Sequence, residues 1–320
     1  MDNPYVLVVG GAGYIGAMVC RRLAKRSVSF VCLDNRLYGQ AVPGREILGS
    51  AGAFIHGDVR DRSKLGNLIS NASCIVWLAA IVGDGACDVN HTHTNEINLE
   101  PIRWLAQHYP DKKLVFASTA SVYGHSSEAV HEDSPLEPLS LYAETKVRGE
   151  ELIRNSMLNH TILRLGTAFG MRHYTRKRLD LAVQAITVDA IYNRRIRVFG
   201  KTRWRPFTHI DDIARCFVKA IHQEYLGTYN ITLQNIQIGD LALRISELTG
   251  CENIQYSDIE YDRRDYRMNY DKAAQLGLID SRNYTSLDFG VLETIEHVRQ
   301  KDLDNPRLKN LEYLKSRTAV

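Results

Sequence analysis

A glycine-rich loop near the start of the chain constrains the fold more than any other feature. Residues 10–16 read Gly-Gly-Ala-Gly-Tyr-Ile-Gly; they follow the apolar run 5–9 and precede a helical pattern. Gly10 permits a tight turn, Gly13 lets a phosphate approach the backbone, and Gly16 lets the helix close onto the strand. In this strand-and-helix context, the loop predicts a site for the pyrophosphate of a dinucleotide.

Short apolar runs and helical patterns alternate along the first half of the chain. Because the runs are continuously apolar, they predict parallel strands that are buried on both faces. The expected architecture is α/β, with a Rossmann-like doubly wound parallel sheet and a smaller α/β substrate-binding domain. Strands are predicted at 5–9, 29–33, 53–56, 74–78 and 113–117, with a first helix over 14–26.

After about residue 165 the pattern changes to basic loops, longer helices and isolated short strands. Residues 206–223 indicate a strand that enters another helix of the large domain, with Asp211 or Asp212 in its first turn. We therefore expect an NAD-binding domain over residues 1–166 and about 204–232. The substrate domain is expected over residues 167–203 and 233–320.

Composition and charge exclude several classes of function. Lys and Arg number 40 against 37 Asp and Glu, and this net charge of +3 does not indicate a nucleic-acid or membrane partner. The six cysteines include no C-x-x-C pair, which predicts reduced thiols in the cytoplasm. No targeting segment or membrane span is expected, because the uncharged stretch 5–20 lacks a preceding basic residue. The crowded Cys87, Asp88, His91 and His93 match no ligand spacing, so no metal is expected.

Residues at the ends of the predicted strands favour NAD as the cofactor. Asp34 ends the second strand, 18 residues after Gly16, where a carboxylate can bind both adenosine ribose hydroxyls and repel a 2′-phosphate. Arg36 is close enough in sequence to attract such a phosphate, which leaves NADP as an alternative. Asp58 and Val59 follow the third strand, in position to meet the adenine.

Thr119, Tyr142 and Lys146 form the predicted catalytic group. Tyr142 and Lys146 lie at i and i+4 of a predicted helix, so an ammonium on the same face is expected to lower the tyrosine pKa from about 10. A phenolate there would be a general base for an alcohol whose carbon gives up hydride. Thr119 follows the strand 113–117, at the edge where ligands bind, and can share the substrate proton.

These motifs together resemble the extended short-chain dehydrogenases, and among them the nucleotide-sugar epimerases and dehydratases such as UDP-galactose 4-epimerase. The resemblance rests on the glycine loop, on residues 57–60, 78–80, 118–124 and 204–212, and on the Tyr142 and Lys146 pair. It implies a homodimer formed through the helices near Asn95 and Tyr142.

The resemblance also implies roles for single residues. Lys146 is expected to hydrogen-bond the nicotinamide ribose, and Asn98 to help place the active-site elements. Arg205, with either Arg263 or Arg264, is expected to hold the nucleotide diphosphate. Cofactor-binding residues are expected at Gly10, Gly13, Tyr14, Ile15, Gly16, Asp34, Asn35, Asp58, Val59, Leu78, Ala79, Ala80, Asn98, Tyr142 and Lys146. Substrate-binding residues are expected at Asp84, Cys87, Thr119, Thr167, Arg178, Leu179, Arg205, Arg263 and Arg264, with Thr167 standing where many relatives carry an asparagine.

The resemblance implies a reaction that begins by oxidising a sugar C4 hydroxyl, with Tyr142 taking the proton and NAD⁺ the hydride. The 4,6-dehydratases carry Asp-Glu after the threonine, where this chain has Ala120 and Ser121, and decarboxylating relatives keep a glutamate at the position of Ser121. The leading prediction is therefore 4-epimerisation of a nucleoside-diphosphate sugar, in which hydride returns to the opposite face. A nucleotide-sugar 4-dehydrogenase, a 4-ketoreductase and, less favoured, a 4,6-dehydratase are alternatives, as is a catalytically silent NAD-binding regulator. The basic stretches 172–178 and 194–205 predict contact with substrate phosphate and not with nucleic acid.

Overall fold

A computed structural model describes residues 4–257 and 262–318 of the chain. Its strands are β1 (Tyr5–Val9), β2 (Phe30–Asp34), β3 (Gly52–His56), β4 (Ala72–Trp77), β5 (Lys113–Thr119), β6 (His125–Val130), β7 (Asn159–Leu165), β8 (Thr167–Phe169), β9 (Ile196–Phe199), β10 (Trp204–His209), β11 (Gly227–Ile231), β12 (Gln234–Gln237), β13 (Ile254–Ser257) and β14 (Asp265–Met268). Each of the five predicted strands is present, with ends that differ by no more than two residues.

Helices lie between most of these strands. They are α1 (Gly16–Lys25), α2 (Arg45–Leu48), α3 (Arg62–Ser70), α4 (Asp84–Asp88), α5 (His91–Asn98), α6 (Glu100–His108), α7 (Leu141–Arg154), α8 (Ala182–Asn193), α9 (Ile210–His222), α10 (Ile238–Thr249), α11 (Asp271–Gln275), α12 (Leu287–His297) and α13 (Asn310–Thr318). None of the helices in the described ranges is long and apolar enough to cross a bilayer.

Seven parallel strands form the central sheet, in the order β11-β7-β5-β4-β1-β2-β3. The alternating side chains of each strand reach opposite faces, so Val6 and Val8 join one apolar core while Leu7 and Val9 join the other. Helices α1 and α9 cover the first face, and α5, α6 and α7 lie on the second. The Rossmann-like doubly wound fold is therefore confirmed, and its strand order changes direction between β1 and β4.

A smaller assembly, built mainly from the second half of the chain, lies beside this sheet. A three-stranded sheet in the order β12-β10-β8 and two parallel pairs, β13 with β9 and β14 with β6, lie outside the large sheet. Helices α8, α10 and α12 enclose a third apolar core with Phe169 and Phe207. Strand β10 thus belongs to the smaller sheet. Helix α9, which follows it, packs against α1, and strand β11 extends the large sheet.

Candidate active site

The glycine loop is shaped by close backbone contacts that side chains would prevent. Gly10 has a φ of +86°, and a Cβ there would lie 2.6 Å from the amide nitrogen of Ala79. A Cβ on Gly16 would collide with the carbonyl oxygen of Gly10. The loop therefore folds tightly beside the end of β4, where Ala79 donates a hydrogen bond to the carbonyl of Val9 at 2.9 Å.

The adenosine side of the loop forms a pocket around Asp34. The Asp34 carboxylate is buried and accepts hydrogen bonds from the amides of Ala12 at 3.0 Å and Arg36 at 2.6 Å, and from Gln40 Nε2 at 3.2 Å. Since an ionised carboxylate has about four acceptor positions, one remains for a ribose hydroxyl. The pocket is lined by Gly10, Gly13, Leu33, Asp34, Asn35, Leu37, Tyr38, Gln40, Gly57, Val59, Leu78, Ala79, Ala80 and Ile97.

Two residues beside this pocket have side chains that are already engaged. Arg36 Nε donates to the carbonyl of Gln40 at 2.9 Å, and Arg36 is absent from the described lining of the pocket. The Asp58 carboxylate binds Asn35 Nδ2 at 2.9 Å and both Nε and Nη2 of Arg60. Burial alone would raise the pKa of Asp58, but the contacts with Arg60 and Asn35 outweigh it and lower the pKa to about 2. Val59 lines the pocket, whereas Asp58 is absent from its described lining and borders a separate surface depression with Arg60 and Glu96.

The three predicted catalytic residues line one cleft of about 470 Å³. Helix α7 begins after Ser140, whose hydroxyl accepts from the amide of Ala143 at 3.3 Å and donates to Asp84 Oδ1 at 2.7 Å. This cap fixes the first turn, which holds Tyr142, and places Lys146 one turn later on the same face. Thr119 is the last residue of β5, and its side chain lies within hydrogen-bonding reach of Tyr142 in the same cleft.

The protonation of Tyr142 and Lys146 differs from the expectation. Burial raises the pKa of Tyr142 above its usual value, and Cys87 and Asp84 act in the same direction, against the Thr119 hydroxyl and Arg178. The Lys146 ammonium donates to the carbonyl of Ala117 at 2.8 Å, and burial lowers its pKa to about 8. The predicted fall in the pKa of Tyr142 is therefore wrong for this structure, because desolvation of the phenolate exceeds the stabilising charges.

Buried polar side chains behind the cleft connect its elements through hydrogen bonds. Glu150, on α7, is fully buried and accepts from Ser118 Oγ at 2.5 Å and from Arg164 Nη2 at 2.8 Å. Asn98 donates to the hydroxyl of Thr145 at 3.3 Å and exchanges two hydrogen bonds with the backbone of Ile81. Asn98 therefore joins the loop after β4 to the helix that carries Tyr142, without lining the described part of the cleft.

A second cavity, of about 690 Å³, adjoins the cleft. Thr167 and Arg264 line both spaces, and Arg205 and Leu179 line the second. Asp262 holds the two arginines together, with Arg205 Nη2 at 3.1 Å and Arg264 Nη2 at 2.6 Å from its Oδ2.

The structure distinguishes the two arginines that the sequence left open. Arg264 Nη1 donates to Ser121 Oγ at 2.9 Å inside the cleft. Arg263 is exposed, and its carbonyl accepts from Arg203 Nη1 at 3.0 Å. Arg264 is therefore the residue of the pair that reaches the site.

Some of the other predicted substrate-binding residues line the cleft, and one lies in the core behind it. Asp84 and Arg178 line the cleft, and Arg178 pairs with Asp180 at 2.6 Å. Cys87 does not line the described part of the cleft: it is fully buried and its thiol donates to the carbonyl of Ile81 at 3.3 Å. Burial raises the pKa of Cys87 to about 12, so the predicted pocket thiol is instead an inert core residue.

Several lining residues carried no motif that the sequence could reveal. Tyr38, Asp180, Tyr266 and Asn310 also line the cleft, as does Arg176 from the basic stretch 172–178. Asn310 comes from the C-terminal helix α13, far in sequence from every other residue of the site. Within the described residues, no group of three or more His, Cys, Asp or Glu side chains is arranged to hold a metal ion.

The amino-acid sequence matches characterised families and proteins. Residues 6–232 match the model of the NAD dependent epimerase/dehydratase family. UDP-glucuronate 4-epimerase 1 of Arabidopsis thaliana is 33% identical over 235 residues, which are 66% of this chain and 53% of that protein. The chain thus spans about half the length of that relative. UDP-glucose 4-epimerase of Bacillus subtilis is 25% identical, with 82% of this chain and 85% of that protein covered.

Solved structures share most of the architecture. The UDP-glucuronic acid 4-epimerase from Bacillus cereus, in complex with UDP-glucuronic acid and NAD, superimposes with a TM-score of 0.79 at 26% identity. The alignment covers 93% of this chain and 99% of that one. The similarity therefore includes both the large sheet and most of the smaller assembly.

Proposed function

Because this chain belongs to the NAD dependent epimerase/dehydratase family, we propose that it is an NAD-dependent 4-epimerase of UDP-sugars. One observation carries the proposal: a single cleft joins the glycine loop to Thr119, Tyr142 and Lys146 and continues to Arg264. The relatives named UDP-glucuronate 4-epimerase and UDP-glucose 4-epimerase support the same chemistry and suggest the nucleoside.

The residues at the glycine loop fit NAD. The remaining acceptor position of Asp34 suits an adenosine ribose hydroxyl, and its negative charge opposes a 2′-phosphate. Arg36 is held by the carbonyl of Gln40, which favours NAD over NADP. When bound, NAD supplies the acceptor and later the donor of the C4 hydride, and its oxidised ring adds positive charge to the cleft.

Tyr142 acts on the proton of the sugar C4 hydroxyl. Its phenolate oxygen accepts that proton during oxidation and returns it during reduction. The hydroxyl of Thr119 and the charge of Arg178 oppose the rise that burial causes in the pKa of Tyr142. Lys146, on the same face of the helix, is the further positive charge that the proposal places near the phenolate. Thr119 hydrogen-bonds the same substrate oxygen, so the proton stays within one short network.

The acid and base needed for water elimination are missing from their expected positions. Ala120 has no polar side chain, and Ser121 is bound to Thr119 at 3.3 Å and to Arg264 at 2.9 Å. The cleft carboxylates are engaged too, Asp84 with Ser140 and Asp180 with Arg178. These residues therefore do not favour elimination of water. In the proposed reaction the 4-keto sugar instead rotates while its diphosphate stays bound, and it is reduced on the opposite face.

The two cavities suggest how the substrate lies. The sugar occupies the cleft beside Tyr142, the diphosphate lies at Arg264 and Arg205, and the nucleoside extends into the second cavity. We also propose a cytoplasmic homodimer that functions in carbohydrate biosynthesis, with the exposed faces of α5 and α7, the helices that contain Asn95 and Tyr142, as the contact. Six buried, unpaired cysteines fit a reducing compartment, and light scattering of the purified protein tests the dimer.

The test is an incubation of the purified protein with NAD and a panel of UDP-, GDP-, CDP- and dTDP-sugars. Product stereochemistry is followed by NMR and NADH by absorbance. We expect the C4 epimer of a UDP-sugar without net NADH. Tyr142→Phe should lower kcat by about 10²- to 10⁴-fold and leave NAD affinity unchanged. Stoichiometric NADH with a 4-keto product would establish a dehydrogenase, and full activity of Tyr142→Phe would contradict the proton role.

A further inference from the structure

The C-terminal residues cross the outside of both cavities. Gln300, Leu303, Asp304 and Lys309 line the second cavity together with Arg205 and Arg264. The next residue, Asn310, lines the cleft that holds Tyr142. Consecutive residues of one segment therefore face the two parts of the proposed substrate site.

Hydrogen bonds on both sides of Lys309 fix its backbone. The carbonyl of Leu308 accepts from the amide of Leu179 at 3.0 Å. The amide of Asn310 donates to Asp180 Oδ2 at 3.2 Å, and its Nδ2 donates to the carbonyl of Val82 at 2.6 Å. Lys309 is thus held between two walls of the site, with little freedom to move away from the cavity.

Helix α13 continues this attachment beyond Lys309. The Leu311 side chain lies against Gly85, where a built Cβ would be 3.1 Å away. Leu314 is buried in the apolar core that contains Ile81 and Cys87. The ring of Tyr313 lies 5.7 Å from that of Tyr38 at the edge of the cofactor pocket. The segment is consequently part of the folded site and not a loose end.

The charges of the second cavity favour an anion beside Lys309. Among its described lining residues, the basic side chains Arg197, Arg203, Arg205, Arg264 and Lys309 outnumber the acidic side chains Asp189, Asp262 and Asp304. Arg205 and Arg264 share the charge of Asp262, and Arg264 Nη2 also lies 3.5 Å from Asp84 Oδ2, which borders the neighbouring cleft and not this cavity. The Lys309 ammonium lies 3.1 Å from Glu312, whose side chain is about half exposed, so this contact is screened by water.

We propose that Lys309 is a third cationic residue for the diphosphate of the substrate, supplied by the C-terminal segment and held in place by Asn310. The proposal rests on the proposed function, because it takes a nucleoside diphosphate as the ligand. It adds a binding residue that lies outside the region 6–232 matched by the family model.

The Kd values of UDP and of uridine for the purified protein separate the contribution of the diphosphate charge from that of the nucleoside. In Lys309→Met, the Kd of UDP should rise about three- to tenfold, since one charge contact is lost, whereas the Kd of uridine should not change. Lys309→Arg should retain UDP affinity within about twofold, because it keeps the charge. The matched control is Lys315→Met, at an exposed position of the helix α13 that follows Lys309; Lys315 is absent from both described linings.

A second variant tests the placement of Lys309. Asn310→Ala removes the bond to Val82 and should weaken UDP binding by a similar factor with Lys309 intact. Equal UDP affinities in wild type, Lys309→Met and Asn310→Ala, with melting temperatures unchanged, would overturn the inference. Absence of UDP binding in the wild type would instead refute the proposed function.

Discussion

The substitution Glu150→Gln tests the buried network behind the catalytic residues. Glu150 is fully buried on α7, four residues after Lys146, and binds Ser118, Arg154 and Arg164. Burial opposes the charge of Arg164, yet its hydrogen bonds and attraction to Glu150 raise the arginine pKa. A neutral glutamine would leave this guanidinium, which is almost wholly buried, without its counter-charge.

The cost follows from that uncompensated charge. Removing one partner of a buried ion pair typically costs about 3–5 kcal/mol. At roughly 2–3 °C per kcal/mol for a chain of this size, the melting temperature should fall by roughly 6–15 °C. Glu150 also accepts a hydrogen bond from Ser118, the residue before Thr119. The kcat of the variant should therefore fall as well, even when it is assayed below its melting temperature.

Thermal and urea unfolding, followed by circular dichroism, measure the effect. The matched control is Arg154→Ala, which removes a partner of the same carboxylate from a side chain that is 36% exposed. Such a partly exposed pair is worth less than about 1 kcal/mol. If Glu150→Gln lowers the melting temperature and the free energy of unfolding no more than Arg154→Ala does, the buried charge of Glu150 does not stabilise this wall of the cleft.

Three further predictions follow from the site. Asp34→Asn should weaken NAD binding about tenfold and reduce discrimination against NADP, which fluorescence titration with both cofactors measures; an unchanged preference would contradict the role of Asp34. Because the pKa of Lys146 is lowered to about 8 by burial, the unfolded chain binds more protons between pH 8 and its ordinary value near 10.5, so stability should gain a contribution as pH rises through this window. Urea unfolding of wild type and Lys146→Met at pH 7.5 and 10 checks this, and parallel changes in both proteins would refute it. All six cysteines are buried, so a thiol reagent should label none of them rapidly at pH 8, and Cys87→Ala should retain kcat; fast labelling of Cys87 would restore it as a pocket residue.

The fold and the catalytic group could be predicted because each rests on a local pattern. Continuous apolar runs specify strands buried on both faces, and β1 has the bounds expected from its sequence. The glycines at 10 and 16 are required by backbone contacts that no other residue permits. Tyr142 and Lys146 share a helix face as their spacing requires, and parallel strand ends bring Thr119 to the same edge.

Contacts between distant parts of the chain could not be predicted in this way. Cys87 lies in the segment after β4 where a pocket residue would be expected, but helix α4 buries it and its thiol donates to the carbonyl of Ile81. Arg263 and Arg264 are neighbours in sequence, and only the path of the chain into β14 makes Arg264 the inner residue. Lys309 and Asn310 belong to a polar segment whose sequence has no motif, and Leu311 and Leu314 at helical spacing were its only signal.

The protonation of the catalytic pair shows why residue spacing alone is insufficient. Helical spacing places Lys146 and Tyr142 on one face, but it does not determine which acceptor the ammonium reaches. The Lys146 ammonium donates to the carbonyl of Ala117 and lies over the ring of Phe116, so part of its charge interacts with these two residues of the cleft wall. Burial opposes the charged form of both groups, raising the pKa of Tyr142 and lowering that of Lys146. Burial thus favours the protonated phenol, and the proposed base role of Tyr142 depends on positive charge beyond these residues, which the oxidised ring of bound NAD would add.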